Sequence, residues 1–285
     1  MESVLALHVT SSTPSVNKFA VFCAANTSMP FQYKLKVFNA ALTASLLYSS
    51  ESWLTLNMKC IEQLYIKLVK CLLGVRNTTP SLLCLVELGI NTCQGEILKK
   101  RKSFLRSKLN NIDYDEPFHV VYDLCRRENT PGFRMLARCL EGEIEGVAME
   151  QLKQQVRNKP ISSTKFSTYC IELNPSLEMH EVYKGSVYIP DYLRVSFSRL
   201  RLMSHNLKIE TGRWSRIPRE ARVCICSRNV VQDECHVLLE CPVSLHIRGM
   251  YSQLDFTSID NLLKEKFYLL DLCKYIHEVM KLFSG

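Results

Sequence analysis

Apolar positions along this chain recur mostly at helical spacing. Ile61, Leu64, Tyr65, Leu68, Val69, Leu72 and Leu73 form one wide stripe, and Gly74 closes it. Upstream, Val37, Phe38, Ala41, Leu42, Ser45 and Leu46 predict a helix over 34–48, with small residues that allow close packing. Thr79-Pro80 supplies an N-cap and a first-turn proline for a short helix that Gly89 ends. Residues 94–109 predict another helix, with Ile97, Leu98, Phe104 and Leu105 inward and Asn110-Asn111 as its stop. Shorter helical patterns follow at 117–127, 132–141 and 144–157. A helix is expected over 194–208, where Arg194, Arg201 and Lys208 fall seven apart on nearly one face. The tail repeats Ile259, Leu262, Leu263, Phe267, Leu270, Ile276, Val279 and Met280, again helical.

Few segments alternate as strands do. The expected fold is therefore mainly α, with a small hairpin near residue 224. Five regions are expected: a loose lead-in over 1–30, a helical body over 31–157, an irregular connector over 158–190, a basic helix with a cysteine cluster over 191–250, and a helical tail over 251–285. The connector owes its reading to Pro160, Pro175, Gly185 and Pro190.

Composition narrows the class. The chain has 285 residues, of which 47% are hydrophobic and 22% charged, so it has enough apolar material for a core. The longest apolar run, Val37 to Tyr48, is too short for a bilayer and is interrupted by Asn39 and Thr43. Residues 1–16 lack the charged start and apolar core of a secretory signal. Thirteen cysteines, an odd and scattered set, suit a reducing compartment, cytosol or nucleus, better than a disulfide framework.

Four of those cysteines crowd into 224–241. Cys224-x-Cys226, then His236, then Cys241 after four residues, make a tetrahedral donor set of three thiolates and one imidazole. The expected cofactor is a structural zinc ion, with every position filled by protein. Arg219, Arg222 and Arg228 offset the net negative charge of such a site. Inert or redox cysteines are the alternative. The gap in Cys224-x-Cys226 is tighter than usual, and Cys235 competes as a ligand.

The net charge is +8, and its placement matters more than its size. One basic tract holds Lys99, Lys100, Arg101, Lys102, Arg106 and Lys108, opposed only by Glu96. Its first four residues resemble a nuclear import signal. A second tract holds Arg199, Arg201, Lys208, Arg213, Arg216, Arg219 and Arg222 against Glu210 and Glu220, with Trp214 inside it. Cations beside a metal knuckle suit phosphates, and Trp214 suits stacking on a base. A solvated helix face is the bland alternative for each tract. The expected partners are RNA or DNA through phosphate contacts, with no membrane and no evident small-molecule substrate.

No Asp-Asp pair and no Gly-rich phosphate loop occur. Asp113, Asp115 and Glu116 look like a turn and helix cap. His119, His180, His205, His246 and His277 are dispersed and suit surface or satisfied-core roles.

Several segments together resemble one family. Lys36-Val37-Phe38-Asn39-Ala40-Ala41-Leu42, then Leu46-Leu47-Tyr48-Ser49-Ser50-Glu51-Ser52-Trp53, then Leu73-Gly74-Val75-Arg76, resemble the region after the polymerase palm in LINE-like non-LTR retrotransposon reverse transcriptases. So do Phe197-Ser198-Arg199-Leu200-Arg201, His205-Asn206-Leu207-Lys208-Ile209-Glu210-Thr211-Gly212-Arg213-Trp214 and Arg219-Glu220-Ala221-Arg222-Val223-Cys224. His236-Val237-Leu238-Leu239-Glu240-Cys241-Pro242, with Arg248 beyond, resembles that family's C-terminal knuckle. Ser49 departs from it, because the family more often has Gly after the tyrosine.

The resemblance implies a thumb and a CCHC-type zinc knuckle that contact nucleic acid during target-primed reverse transcription. The endonuclease and the palm, with its paired aspartates, would lie upstream of Met1. This chain is therefore expected to be a non-catalytic nucleic-acid-binding fragment, nuclear or cytoplasmic with nuclear favoured. Two alternatives are part of an active RNA-directed DNA polymerase whose catalytic domains lie outside the chain, and a helical protein-interaction module with structural zinc.

Overall fold

The computed structural model describes residues 2–50, 58–109, 117–131, 133–134, 137, 149–159, 164–226 and 228–284. Most of the expected helix over 132–141, residues 144–148 of that over 144–157, the Asp113, Asp115 and Glu116 cluster, and the Glu51-Ser52-Trp53 end of the resemblance lie outside the described residues, while 149–157 form a helix as expected. The longer helices are α1 (Glu2–Ala25), α2 (Phe31–Val37), α3 (Lys59–Leu73), α4 (Ser81–Leu88), α5 (Cys93–Leu109), α6 (Pro117–Arg127), α7 (Met149–Arg157), α8 (Asp191–Arg201), α9 (Lys208–Trp214) and α10 (Leu269–Leu282). The chain is mainly helical, as its periodicity predicts. Among the described residues, β pairing is confined to an antiparallel bridge between Val223 and Val231.

The best-marked helix forms where its stripe lies. Ile61, Tyr65, Leu68, Val69, Leu72 and Leu73 of α3 are all buried. Gly74 stops α3 at φ +70, its N–H bonded to Cys71 and that of Val75 bonded to Lys70. That pair of bonds satisfies carbonyls the helix end would otherwise leave open. Gly89 ends α4 through the same two bonds, to Val86 and Leu85. Thr79 does not cap α4. It is buried, and its hydroxyl donates to Ser204 Oγ at 3.2 Å instead.

The lead-in is not loose. Residues 2–25 form α1 despite Pro14 inside it. Ser12, Val16, Phe19 and Cys23 fall at steps of four, three and four, and that face is buried along α3. Thr13 bonds back to the Val9 carbonyl at 2.7 Å. Tertiary packing overrides the cost of the proline, because the Phe19 ring meets Phe38 and Phe38 meets Tyr65. The helix expected over 34–48 also forms, as α2, a π segment Phe38–Thr43 and a last turn Ala44–Leu46.

The helix expected over 194–208 is two helices. α8 ends at Arg201, and α9 starts at Lys208. The stop is Met203 at φ +47, with its N–H on Leu200 and that of Ser204 on Arg199. Left-handed backbone at a buried methionine is unusual, so packing must hold it. Lys165 donates to the Met203 carbonyl, and Ser204 Oγ accepts the Arg76 N–H. Likewise the tail splits into Ile259–Leu263 and α10, leaving Phe267 exposed in the link.

Buried charges tie the chain halves together. Lys34 reaches Asp191 at 2.5 Å and Arg194 reaches the same carboxylate at 2.7 Å. The Arg194 guanidinium also donates to the Leu72 carbonyl. Arg201 pairs with Glu87, which also accepts from Tyr169. Tyr169, Leu173, Leu177, Val182, Tyr183 and Ile189, from the region expected to be an irregular connector, belong to the same buried cluster as α3 and α10.

Candidate metal centre and basic surface

Cys224, Cys226, His236 and Cys241 come together. Their ligand atoms all lie within 4.8 Å of one another, and all four residues are buried. Cys224 Sγ is 3.8 Å from Cys241 Sγ, and Cys226 Sγ is 3.3 Å from His236 Nε2. A disulfide needs about 2.0 Å, so the sulfurs are free thiols. The group can hold a metal ion. Cys235 lies outside this set of ligand atoms. Burial and then Glu240 push its thiol up to about 11.

Local backbone explains both spacings. Val223 bridges Val231, the Cys224 N–H bonds to Val230 and the Gln232 N–H to Arg222. Cys224 lies on the paired arm and Cys226 in the bend that follows it, and both are buried while Ile225 between them is exposed. Asn229 closes the hairpin at φ +52. On the other side, His236 and Cys241 would point about 140° apart on an α-helix of 3.6 residues per turn. The segment is instead a π turn, His236–Glu240, with the Cys241 N–H on the His236 carbonyl at 2.8 Å. The wider turn brings both side chains to one point.

The surroundings fix the ligands. Asp233 Oδ1 accepts the His236 N–H, and Glu240 Oε2 stands 3.7 Å from His236 Nδ1. That separation is beyond hydrogen-bond reach, and the buried Nδ1 has no hydrogen-bond partner among the described residues. Burial pushes the Cys226 thiol up, but the N–H of Arg228 and hydrogen bonds with Cys224 and Cys241 outweigh it and hold it below the ordinary value. Cys241, against the same neighbours, is pushed up to about 11, chiefly by burial. Arg248 donates to the Cys241 carbonyl and Ser244 to that of Val237. Tyr275 of α10 donates to Leu238, so the cluster is anchored on the core. The hairpin also carries α9, because the Ile209 N–H bonds to Gln232 O and the Lys208 N–H to its side-chain oxygen.

The basic tracts divide on burial. Two of the expected surface cations are not on the surface. Arg101 is 1% exposed and donates to the Ser50 carbonyl. Arg201 is 2% exposed and paired with Glu87. The cause in each case is an inward helix face with an acceptor opposite, which a count of charges does not see. Arg222 is half-buried and donates to the carbonyls of Ile209 and Ile217, a structural clamp. Arg213 pairs with the buried Glu210, which Lys165 also meets at 2.6 Å. Arg219 lies 3.4 Å from Asp233.

Lys99, Arg106, Arg199, Lys208, Arg216 and Arg228 are exposed, while Lys100, Lys102 and Lys108 are half-buried. Lys100 donates to the Leu47 carbonyl. Trp214 is 55% exposed. The Arg76 guanidinium lies 4.1 Å over its ring, a partner the charge tracts did not include. Leu73-Gly74-Val75-Arg76 was legible as a helix stop and as part of the resemblance, not as a binding element.

Three of the dispersed histidines are satisfied, and His246 is exposed. His180 bonds Leu263 O and Val182 N, His205 meets Glu234 at 2.8 Å, and His277 meets Ser196 at 2.8 Å. Among the described residues, no helix is long and apolar enough to cross a membrane. Comparison with protein families, with curated proteins and with solved structures finds no match to this chain.

Proposed function

We propose that this chain binds nucleic acid without catalysing a reaction, and that a structural zinc ion shapes the binding module. The observation that carries this reading is Trp214. It is an exposed indole, with Arg76 over one face, on a helix tied by backbone bonds to the Cys3His hairpin. Lys208, Arg216, Arg219 and Arg228 stand exposed in the same module. Stacking aromatics among cations suit single strands, whose bases are free to stack.

Zinc is favoured by the donors, three soft thiolates and one imidazole. Around a tetrahedral zinc, ligand sulfurs stand about 3.8 Å apart and a sulfur and an imidazole nitrogen about 3.6 Å apart. Separations of 3.8 and 3.3 Å, within an overall spread of 4.8 Å, fit such an ion once the more distant ligand atoms draw in. The ion would close the hairpin on the π turn and leave no coordination site for a substrate. Its role is to hold α9 and its cations in place. The resemblance to post-palm segments of non-LTR reverse transcriptases agrees with this role, and a polymerase would need carboxylates from elsewhere.

The test is anisotropy of labelled RNA and DNA single strands with zinc-loaded full chain over a salt series. The reading expects log affinity to fall with log salt by about 0.7 per phosphate contact. Salt-insensitive affinity, or no binding at any salt, would contradict it. α6 favours a second reading, protein interaction, because Val120, Val121 and Leu124 expose one apolar face. Intact folding with no nucleic-acid binding would favour that reading.

A further inference from the structure

A cleft of about 440 Å³ opens between the turn after α3, the turn before α9, and α10. Its lining includes Arg76, Arg199 and Lys281, and no carboxylate. None of these three belongs to an ion pair among the described residues. Three cations facing one space with no carboxylate in its lining are a poor arrangement for stability alone. They suit an anion that arrives from outside.

The cations are held in place. Arg76 donates through its backbone N–H to Ser204 Oγ, and through its side chain to the His205 carbonyl and to Asn206. Two of its five side-chain N–H donors are thereby used, and the plane stacks on Trp214. Arg199 gives Nε–H to the Gly74 carbonyl at 2.8 Å. Its terminal nitrogens have no protein acceptor among the described residues. Burial and then the neighbouring Arg199 hold the Arg76 guanidinium below its ordinary value, against an upward pull from Glu210, which marks Arg76 and Arg199 as near neighbours. Ser196 and His277, bonded to each other, add polar lining.

We propose that this cleft seats a backbone phosphate of a nucleic-acid strand, gripped by Arg76, Arg199 and Lys281. The inference rests on the nucleic-acid reading above and gives it a place. Trp214 lies one guanidinium away from the cleft, so a strand whose phosphate sits on Arg76 has a base within reach of the exposed indole. A paired base is not free to stack there, so the occupant is single-stranded. The cleft volume falls in the range of roughly 300–1,000 Å³ of small-ligand sites, enough for a nucleotide unit. The site joins residues from 76, 199 and 281, and no contiguous run of charge reveals it.

The experiment uses the zinc-loaded full chain and a labelled twelve-residue oligo-dT over a salt series. Lys281→Gln and Arg199→Gln are compared with Lys18→Gln and Lys274→Gln, exposed lysines outside both basic tracts whose affinity and slope are expected to stay at the wild-type values, and folding is checked by thermal melting. Each cleft variant is expected to weaken binding about three- to tenfold at low salt and to reduce the salt slope by about 0.7. Lys281→Glu, a reversal at an exposed position, is expected to weaken it further and guards against a folding effect of Arg199→Gln. A duplex of the same sequence is expected to compete poorly.

Wild-type affinity and slope in both Lys281 variants would overturn the cleft while leaving nucleic-acid binding intact. Absence of binding by the wild type at every salt would overturn the functional reading itself. Equal binding to phosphatidylserine vesicles, lost in the same variants, would assign the cleft to a lipid headgroup and overturn the strand.

Discussion

Arg201 grips Glu87 with two prongs: Nε donates to one carboxylate oxygen at 2.6 Å and a terminal nitrogen to the other at 3.1 Å. Both side chains are buried, and the pair joins α4 to α8. Breaking such a pair leaves one charge stranded and costs about 3–5 kcal/mol. Arg201→Met and Glu87→Leu are each expected to lose that much in urea unfolding. The double variant is expected to recover much of it, since no lone charge remains. Neither change should alter the salt slope of nucleic-acid binding, because Arg201 is no part of the basic surface. A reduced slope in Arg201→Met would return it to that surface.

Helical period and glycine stops placed α3 and α4 nearly to the residue. The ligand set was readable because thiolate and imidazole chemistry requires those residue types. Charge runs were weaker guides. Arg101 and Arg201 point inward because acceptors from distant segments meet them, and such acceptors are invisible along the chain. The break at Met203 was hidden for a related reason, since a methionine holds the left-handed position where a glycine would have advertised it. α1 was partly legible. Val16, Phe19 and Cys23 keep the period, but Pro14 and the surrounding Ser and Thr residues outweighed it.

Gly74 is required twice. Its φ of +70 disfavours any side chain, and an added Cβ would stand 2.7 Å from Val195 Cγ2. The left-handed backbone alone costs about 1–2 kcal/mol. Gly74→Ala is therefore expected to destabilise the chain by more than about 2 kcal/mol once the collision is added. In a Val195→Ala background the cost should shrink, measurable as a double-mutant cycle. An unchanged cost would show that the collision plays no part.

His180 predicts an acid weakness. Burial, then the neighbouring Arg201, lower its pKa to about 4, against pulls upward from Glu87, the Leu263 carbonyl and Glu181. In the unfolded chain it titrates near 6.5, roughly its unperturbed value. Above that pH both states are neutral and the shift contributes nothing. Between about 6.5 and 4 the unfolded chain binds a proton that the fold refuses, so stability falls as pH falls. The loss is on the order of 3 kcal/mol and levels off below the folded pKa. His180→Asn is expected to flatten this part of the profile relative to the wild type, read from urea midpoints at pH 7 and 4.5. Parallel profiles would contradict the assignment.

The apolar face of α6 offers a separate check. Val120, Val121 and Leu124 are each more than half exposed. If nothing covers them, Leu124→Gln should leave melting temperature within the small range of surface changes, about 0.5 kcal/mol in stability. A clear loss of stability or a change of oligomeric state would show that the face is buried in solution.

The Cys3His cluster organises the module that presents Trp214, and metal content tests that role most directly. Full-length chain purified under reducing conditions should carry one zinc ion. Cobalt in its place should give the absorption of a tetrahedral site with thiolate ligands. Cys241→Ser should lose the ion and lower the melting temperature, because metal binding and folding are coupled. Substoichiometric zinc, with Cys241→Ser melting like the wild type, would leave four buried side chains with no ion to organise them. The module that presents Trp214 would then need another explanation.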